Sequence, residues 1–376
     1  MANRRQFIQF AAGTVGMMTA QRASASIGPF IGAPRSQGLR ILVLGGTGFI
    51  GPHIVRSIVE RGHAVSIFNR GRSEADLPPN VEELIGDRAD DLTALHGRTW
   101  DAVIDNSATN APKWVRDSAQ LLKDAVGTYL FTSTRSVYSD FSVVGMNEDG
   151  PIYDPDPSAI EEGRRLSYGE GKALSEREVR RAFGDRMLIV RPGLIVGPGD
   201  ETDRFTYWPV RIDSGGEVLA PGDPNTGAMF IDVRDLADFY VHLIEQGTTG
   251  VFNALGPASP LSFAELLYGI RAVTSAQVSF TWVDTDFLLE REVRPYGQMP
   301  LWMPARGDRV GFQQFDLSRP LAAGIKYRPL AVTARDTLEF HKSRPLERQQ
   351  DLRSGMPRER ERELLAEWHG TRTGRR

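Results

Sequence analysis

The chain has 376 residues, 40% hydrophobic and 25% charged, enough apolar material for one large core or two smaller ones and too much for a disordered chain. A formal net charge of −3 gives no overall attraction to nucleic acid or anionic lipid, so neither is an expected partner. The absence of cysteine excludes disulfides, thiolate metal sites and cysteine nucleophiles.

Residues 1–25 read as an export signal. Arg4-Arg5 precede Phe7-Ile8, a weakly apolar stretch runs from Phe10 to Ala20, and Ala23-Ser24-Ala25 offers a cleavage site. Paired arginines in this setting resemble a twin-arginine signal. The expected course is passage through the twin-arginine translocase to a periplasmic or secreted location; an N-terminus without signal function would leave the protein cytoplasmic. Residues 26–38, rich in Gly, Pro and Ser, read as a linker. No apolar run reaches the ~20 residues that cross a bilayer, so no membrane span is expected after processing.

From Leu39 onwards strand and helix signals alternate. Residues 40–44 are a continuous apolar run, as expected of a strand buried on both faces. Helical spacing through Ile54, Val55, Ile58 and Val59 follows, closed by Gly62. Further strands are predicted at 64–68, 81–85, 100–105, 127–133 and 186–190, with helices at 113–125 and 169–183. This alternation means βαβ units and a parallel, doubly wound α/β sheet. After Pro192 the pattern loosens, with helices at 235–246 and 262–273. Residues 39–200 are therefore read as one domain, and 201–340 as mainly a smaller, mixed substrate-binding domain with segments returning to the first. Residues 341–376 are dense in Arg and Glu. Their last helix, 358–368, has Leu364, Leu365 and Trp368 on one side, and the interspersed glutamates favour a solvated helix.

Between the first strand and its helix stands Gly45-Gly46-Thr47-Gly48-Phe49-Ile50-Gly51. Glycines at 45, 48 and 51 in a strand–turn–helix context are the fingerprint of a Rossmann-type dinucleotide site: a tight turn, a close backbone approach to a pyrophosphate, and close helix-on-strand packing. The anion would rest on the amides around Thr47, Gly48, Phe49 and Ile50 at the helix N-terminus. After the second strand no acid stands to hold a ribose diol; the chain has Asn69-Arg70-Gly71-Arg72. Arg70 or Arg72 can pair with a 2′-phosphate, which favours NADP over NAD, although merely solvated arginines would look the same. Asp87, with Arg88 beside it, follows the third strand where an adenine amino group would be met.

Tyr168 and Lys172, at i and i+4, project from one helix face. A neighbouring ammonium is expected to lower the phenol from about 10 towards working pH. Such a phenol can exchange a proton with a substrate oxygen while hydride moves at carbon. The six histidines are scattered without paired ligand spacing, so no metal site is expected.

The glycine turn, Phe131-Thr132-Ser133-Thr134-Arg135-Ser136-Val137-Tyr138, Tyr168 with Lys172, residues 191–198 and residues 230–237 together resemble an extended or atypical short-chain dehydrogenase/reductase of the NAD-dependent epimerase/dehydratase family. The resemblance covers about 190 residues in the right order. It implies Thr134 as the residue orienting the substrate oxygen, with Ser133 as its possible substitute. Tyr168 would be the acid/base, Lys172 would hold the nicotinamide ribose, and the backbone from Pro192 to Ile195 would meet the nicotinamide amide. It also implies a helix-mediated homodimer. Arg135-Ser136 replaces the Asp-Glu that follows the threonine in sugar-nucleotide 4,6-dehydratases, and Gly193-Leu194 replaces an asparagine that holds the nucleotide in many epimerases. Both departures point away from nucleotide sugars. The expected function is NAD(P)-dependent oxidoreduction or epimerisation of a small polar, sugar-like substrate, with a tightly held cofactor if the protein is exported. The alternative is a non-catalytic nucleotide-sensing or RNA-binding protein, as in the branch holding chloroplast stem-loop-binding proteins. Aromatic residues at 205–208 and 287–303, among them Tyr296, Trp302 and Met303, would line a pocket or pack a core.

Overall fold

The computed structural model describes residues 38–106 and 110–373. The export signal and nearly all of the linker lie outside these residues. Among the described residues no helix is long and apolar enough to cross a membrane.

The first lobe is built on β1 (Arg40–Leu44), β2 (Ala64–Asn69), β3 (Glu82–Ile85), β4 (Trp100–Asp105), β5 (Val126–Thr132) and β6 (Met187–Pro192). These strands are central and almost wholly buried except at the β3 edge, which explains their unbroken apolar runs. Helix α1 (Gly51–Glu60) carries Pro52 in its first turn, where a missing amide costs nothing, and buries Ile54, Val55 and Ile58. Helix α2 (Pro112–Leu122) packs beside α3 (Tyr168–Phe183). Ser167 and Glu170 start α3 with a reciprocal capping box, and Gly184 ends it with positive φ.

The second lobe opens with β7 (Ile195–Val196), α4 (Tyr207–Asp213) and β8 (Gly216–Pro221). The chain then returns to the first lobe through β9 (Ile231–Asp232), α5 (Val233–Glu245) and β10 (Gly250–Ala254). It goes back to the second with α6 (Phe263–Arg271), β11 (Val278–Val283) and α7 (Thr285–Glu290). Helices α8 (Ser318–Ala322), α9 (Leu330–Ser343), α10 (Leu346–Gln350) and α11 (Arg358–Thr373) complete the fold.

All seven strands of the main sheet are parallel, in the order β3-β2-β1-β4-β5-β6-β10. Helices α1 and α5 cover one face, packed on each other, and α2 and α3 the other. This is the doubly wound Rossmann-like arrangement. The chain reverses its direction of travel across the sheet between β1 and β4, where Leu44 lies in register with Asp105. Ligand crevices in such sheets open at that switch point, beyond the carboxyl ends of the strands.

The second lobe has its own core around Trp208, Phe263 and Trp302, with β8 and β11 pairing in parallel. The helix expected to be solvated belongs to this core: Leu364 and Leu365 of α11 are buried in it. Glu361 is also buried, held by Arg211 at 2.6 Å and by the Leu219 amide at 3.0 Å. A glutamate–arginine pattern reads as a solvated face until a buried partner 150 residues earlier is known.

Candidate active site

At the carboxyl end of β1, Gly45 has φ +89 and donates its amide to the Phe68 carbonyl at 3.1 Å, turning the chain sharply away from the sheet. Gly51 lies against the same turn: a Cβ there would stand 2.3 Å from the Gly46 carbonyl carbon, so no larger residue fits. A Cβ on Gly48, in contrast, would meet no atom within 4 Å; its backbone borders open space. No side chain caps the first turn of α1. Its dipole therefore faces that space, an environment suited to a phosphate.

The cavity beyond the turn has a volume of about 450 Å³. Gly45, Thr47, Gly48, Phe49, Ile50, Asn69, Arg70, Asp87 and Arg88 all line it, as does Arg72. Gly51 lies beneath it, in its packing role. A dinucleotide fits this donor set: backbone amides for the pyrophosphate, with exposed arginines and an acid following the neighbouring ends of β2 and β3. Two side chains do different work from that expected. Arg88 grips both oxygens of buried Asp105, which also accepts from the Tyr129 hydroxyl at 2.7 Å, so its guanidinium braces the wall. Asn69 accepts from the Gly71 amide and donates to Glu83 at 2.7 Å. A carboxylate does stand near the β2 end after all, supplied by the neighbouring strand β3 and engaged by Asn69.

A second cavity of about 360 Å³ continues from the first, with Phe49, Ile50 and Asn106 lining both. Thr134, Tyr168, Lys172, Pro192 and Ile195 line it together. The Thr134 hydroxyl accepts from the Ser136 amide at 3.1 Å and meets the Tyr168 hydroxyl. Ser133 is no substitute: its hydroxyl donates to buried Glu176 at 2.6 Å. Lys172 is fully buried, donates to the Thr132 carbonyl at 2.8 Å and lies 4.7 Å over the Phe131 ring. Burial pulls its pKa down to about 8, against the pull of Asp105 and Glu176.

The electrostatics of Tyr168 differ from expectation. The residue is 46% exposed overall, yet desolvation around its hydroxyl holds the phenol above 10.0, with Thr134 and Arg204 drawing it down. The expected lowering by Lys172 does not act here. The i, i+4 spacing puts both residues on one helix face, but the amine reaches inward to a backbone carbonyl of β5.

Several residues of the site were not legible in the sequence. Arg191 donates to both Glu176 oxygens at 2.8 and 2.7 Å, and its partner is bonded to Ser133, so α3 is tied to the ends of β5 and β6. Arg135 stacks 3.9 Å over Phe312 and donates to the Phe312 carbonyl, Gln313 and Tyr296. Asp200 and Arg204 join Arg135, Tyr296 and Phe312 in the wall. Of the aromatic segments, only Tyr296 lines this cavity; Phe205, Tyr207, Trp208 and Trp302 belong to the core.

Comparison with known proteins gives the same frame. Residues 41–254, more than half the chain, match the NAD dependent epimerase/dehydratase family. The chain belongs to that family. This family member is thus an enzyme of the NAD-dependent oxidoreductase/epimerase class. It is 33% identical over 181 residues to the 2-alkyl-3-oxoalkanoate reductase of Stenotrophomonas maltophilia (strain K279a), covering 43% of this chain and 53% of that one. The match thus spans about half of that relative. The dTDP-4-dehydro-6-deoxy-D-allose reductase of a Streptomyces species is 29% identical over 273 residues, covering 64% and 83%. In fold the chain is similar to the Bordetella bronchiseptica enzyme WbmH, solved in complex with NAD+, with a TM-score of 0.59, 16% identity, and 82% and 99% coverage.

Proposed function

We propose that this enzyme catalyses hydride transfer between a nicotinamide cofactor and a hydroxyl- or carbonyl-bearing carbon of a small polar, sugar-like molecule, with Tyr168 as acid/base. The observation that carries the reading is the gathering of Thr134, Tyr168 and Lys172 in one cavity that shares its Phe49–Ile50 wall with the glycine cradle. When bound, the nicotinamide supplies the hydride chemistry. Tyr168 moves the accompanying proton at the substrate oxygen, and Thr134 orients that oxygen through its contact with the phenol. Lys172, which lines the same cavity, is assigned to the cofactor ribose in this reading.

NADP is the favoured cofactor in this reading. Arg70 and Arg72 are exposed at the groove, and Asn69 engages the Glu83 carboxylate. Export by the twin-arginine route belongs to the same reading and rests on Arg4-Arg5 and Ala23-Ser24-Ala25. Native mass spectrometry of the purified protein tests the cofactor: a retained NADP(H) is expected, and a chain isolated empty that binds only at millimolar cofactor counts against it. Tyr168→Phe tests the chemistry. Turnover should fall by about 10²–10⁴-fold with cofactor affinity nearly unchanged; unaltered turnover defeats the assignment.

A further inference from the structure

The loop from Gly197 to Arg204 leaves β7 and forms one side of the catalytic cavity. Asp200 lies in this wall and is only 2% exposed. One of its oxygens is fully used, accepting from the Thr202 amide at 2.8 Å and the Thr202 hydroxyl at 2.7 Å. The other, Oδ2, is buried and has no hydrogen-bond partner among the described residues. An acceptor left unmade in a protein interior is costly unless a ligand or an ordered water completes it. Two other polar groups of this wall are already committed. Arg135 is engaged by Phe312, Gln313 and Tyr296, and Thr134 by Ser136 and Tyr168.

The loop is fixed from behind. Arg344 donates to the Asp200 carbonyl at 2.7 Å and to Asp203 at 2.6 Å. Asp203 has φ 58, a left-handed conformation that a non-glycine residue holds only when its surroundings impose it. Arg344, Arg348 and the Arg353 amide supply that imposition through the two Asp203 oxygens. The C-terminal segment thus grips the loop through the Asp200 carbonyl and both Asp203 carboxylate oxygens, and leaves Asp200 Oδ2 without a partner among the described residues. Arg204 bonds Thr202 through its Nε at 3.0 Å, and its charge acts on both Asp200 and Tyr168.

We propose that Asp200 is a substrate-binding residue whose open oxygen accepts a hydrogen bond from a substrate hydroxyl, selecting polyhydroxylated, sugar-like molecules. This deepens the reading given above and rests on it. A buried acceptor that must be met by a ligand O–H discriminates strongly against analogues lacking that group. It also disfavours a phosphate or carboxylate at the same position.

The test is Asp200→Asn in the cofactor-loaded enzyme. Asparagine keeps an oxygen for Thr202 and places an amide donor where the open acceptor stands. Titration calorimetry with D-glucose, D-galactose and myo-inositol should show at least one binding to the wild type and weakening about tenfold or more in the variant. The melting temperature and the cofactor affinity should be unchanged. Binding of none of the three to the wild type, or equal binding by both proteins, overturns the assignment. So does a variant that melts early or loses its cofactor, because the aspartate would then serve the loop alone. Failure of the hydride-transfer reading is separate: it shows in Tyr168→Phe turnover, whatever the polyol titrations give.

Discussion

Lys172 carries an ammonium into a place with little hydration, and its folded-state pKa of about 8 lies below the 10.5 of the unfolded chain. Below about pH 8 both states hold the proton, so the cost of burying the charge opposes folding in full. Between about 8 and 10.5 the folded amine is neutral while the unfolded one still binds a proton, so stability rises with pH across that window. Lys172→Met removes this dependence. Urea unfolding in parallel should show the wild type gaining on the variant by about 3 kcal/mol, to order of magnitude, from about pH 7 to 10.5. Parallel stability curves would mean the amine is hydrated after all. At this scale the sequence discloses what lies in local spacing. Glycines three apart and a tyrosine four before a lysine are visible because one turn or one helix places them. Glu176 and Arg135 were invisible for the opposite reason. Their partners in the network are distant in sequence, as Arg135 is from Phe312, and nothing local marks a buried charge as paired.

Between elements, the Glu176–Arg191 pair joins α3, which bears Tyr168, to the strand that runs into Pro192. Both side chains are buried, and Arg191 also donates to the Tyr138 hydroxyl at 3.1 Å and the Glu148 carbonyl at 2.9 Å. Arg191→Met would leave the Glu176 carboxylate without its countercharge, a change that costs about 3–5 kcal/mol. Chemical denaturation should show that loss, and adding Glu176→Leu should recover most of it, since an apolar pair replaces a charged one at little net cost. A loss below about 1 kcal/mol would show the pair to be dispensable. The central strands β1, β2, β4, β5 and β6 were readable because burial on both faces leaves largely apolar runs, whereas β10 was not predicted. Strand β11 carries Val278, Phe280 and Trp282 in strict alternation, a half-buried pattern that could have revealed it. Strand β8 is harder: glycines precede it and Pro221 ends it, so its signals resemble those of the loop that follows.

For the molecule as a whole, the doubly wound class followed from the order of strand and helix signals. The place of the C-terminal region did not, because its charged residues concealed an interior face. Leu364→Ala measures the difference. As a core substitution it should cost about 2–5 kcal/mol in unfolding free energy; on a solvated helix the effect would stay within about 0.5 kcal/mol.

That interior role of α11 bears on how the protein is made. The first lobe is complete once residue 254 is available, apart from the few later side chains that cover it. The second lobe needs Leu364 and Leu365, and the loop bearing Asp200 needs Arg344, Arg348 and Arg353. Nascent chains fold from the N-terminal side as they emerge from the ribosome. The glycine cradle can therefore assemble before the loop bearing Asp200 is fixed, because that loop waits for Arg344, Arg348 and Arg353 to emerge.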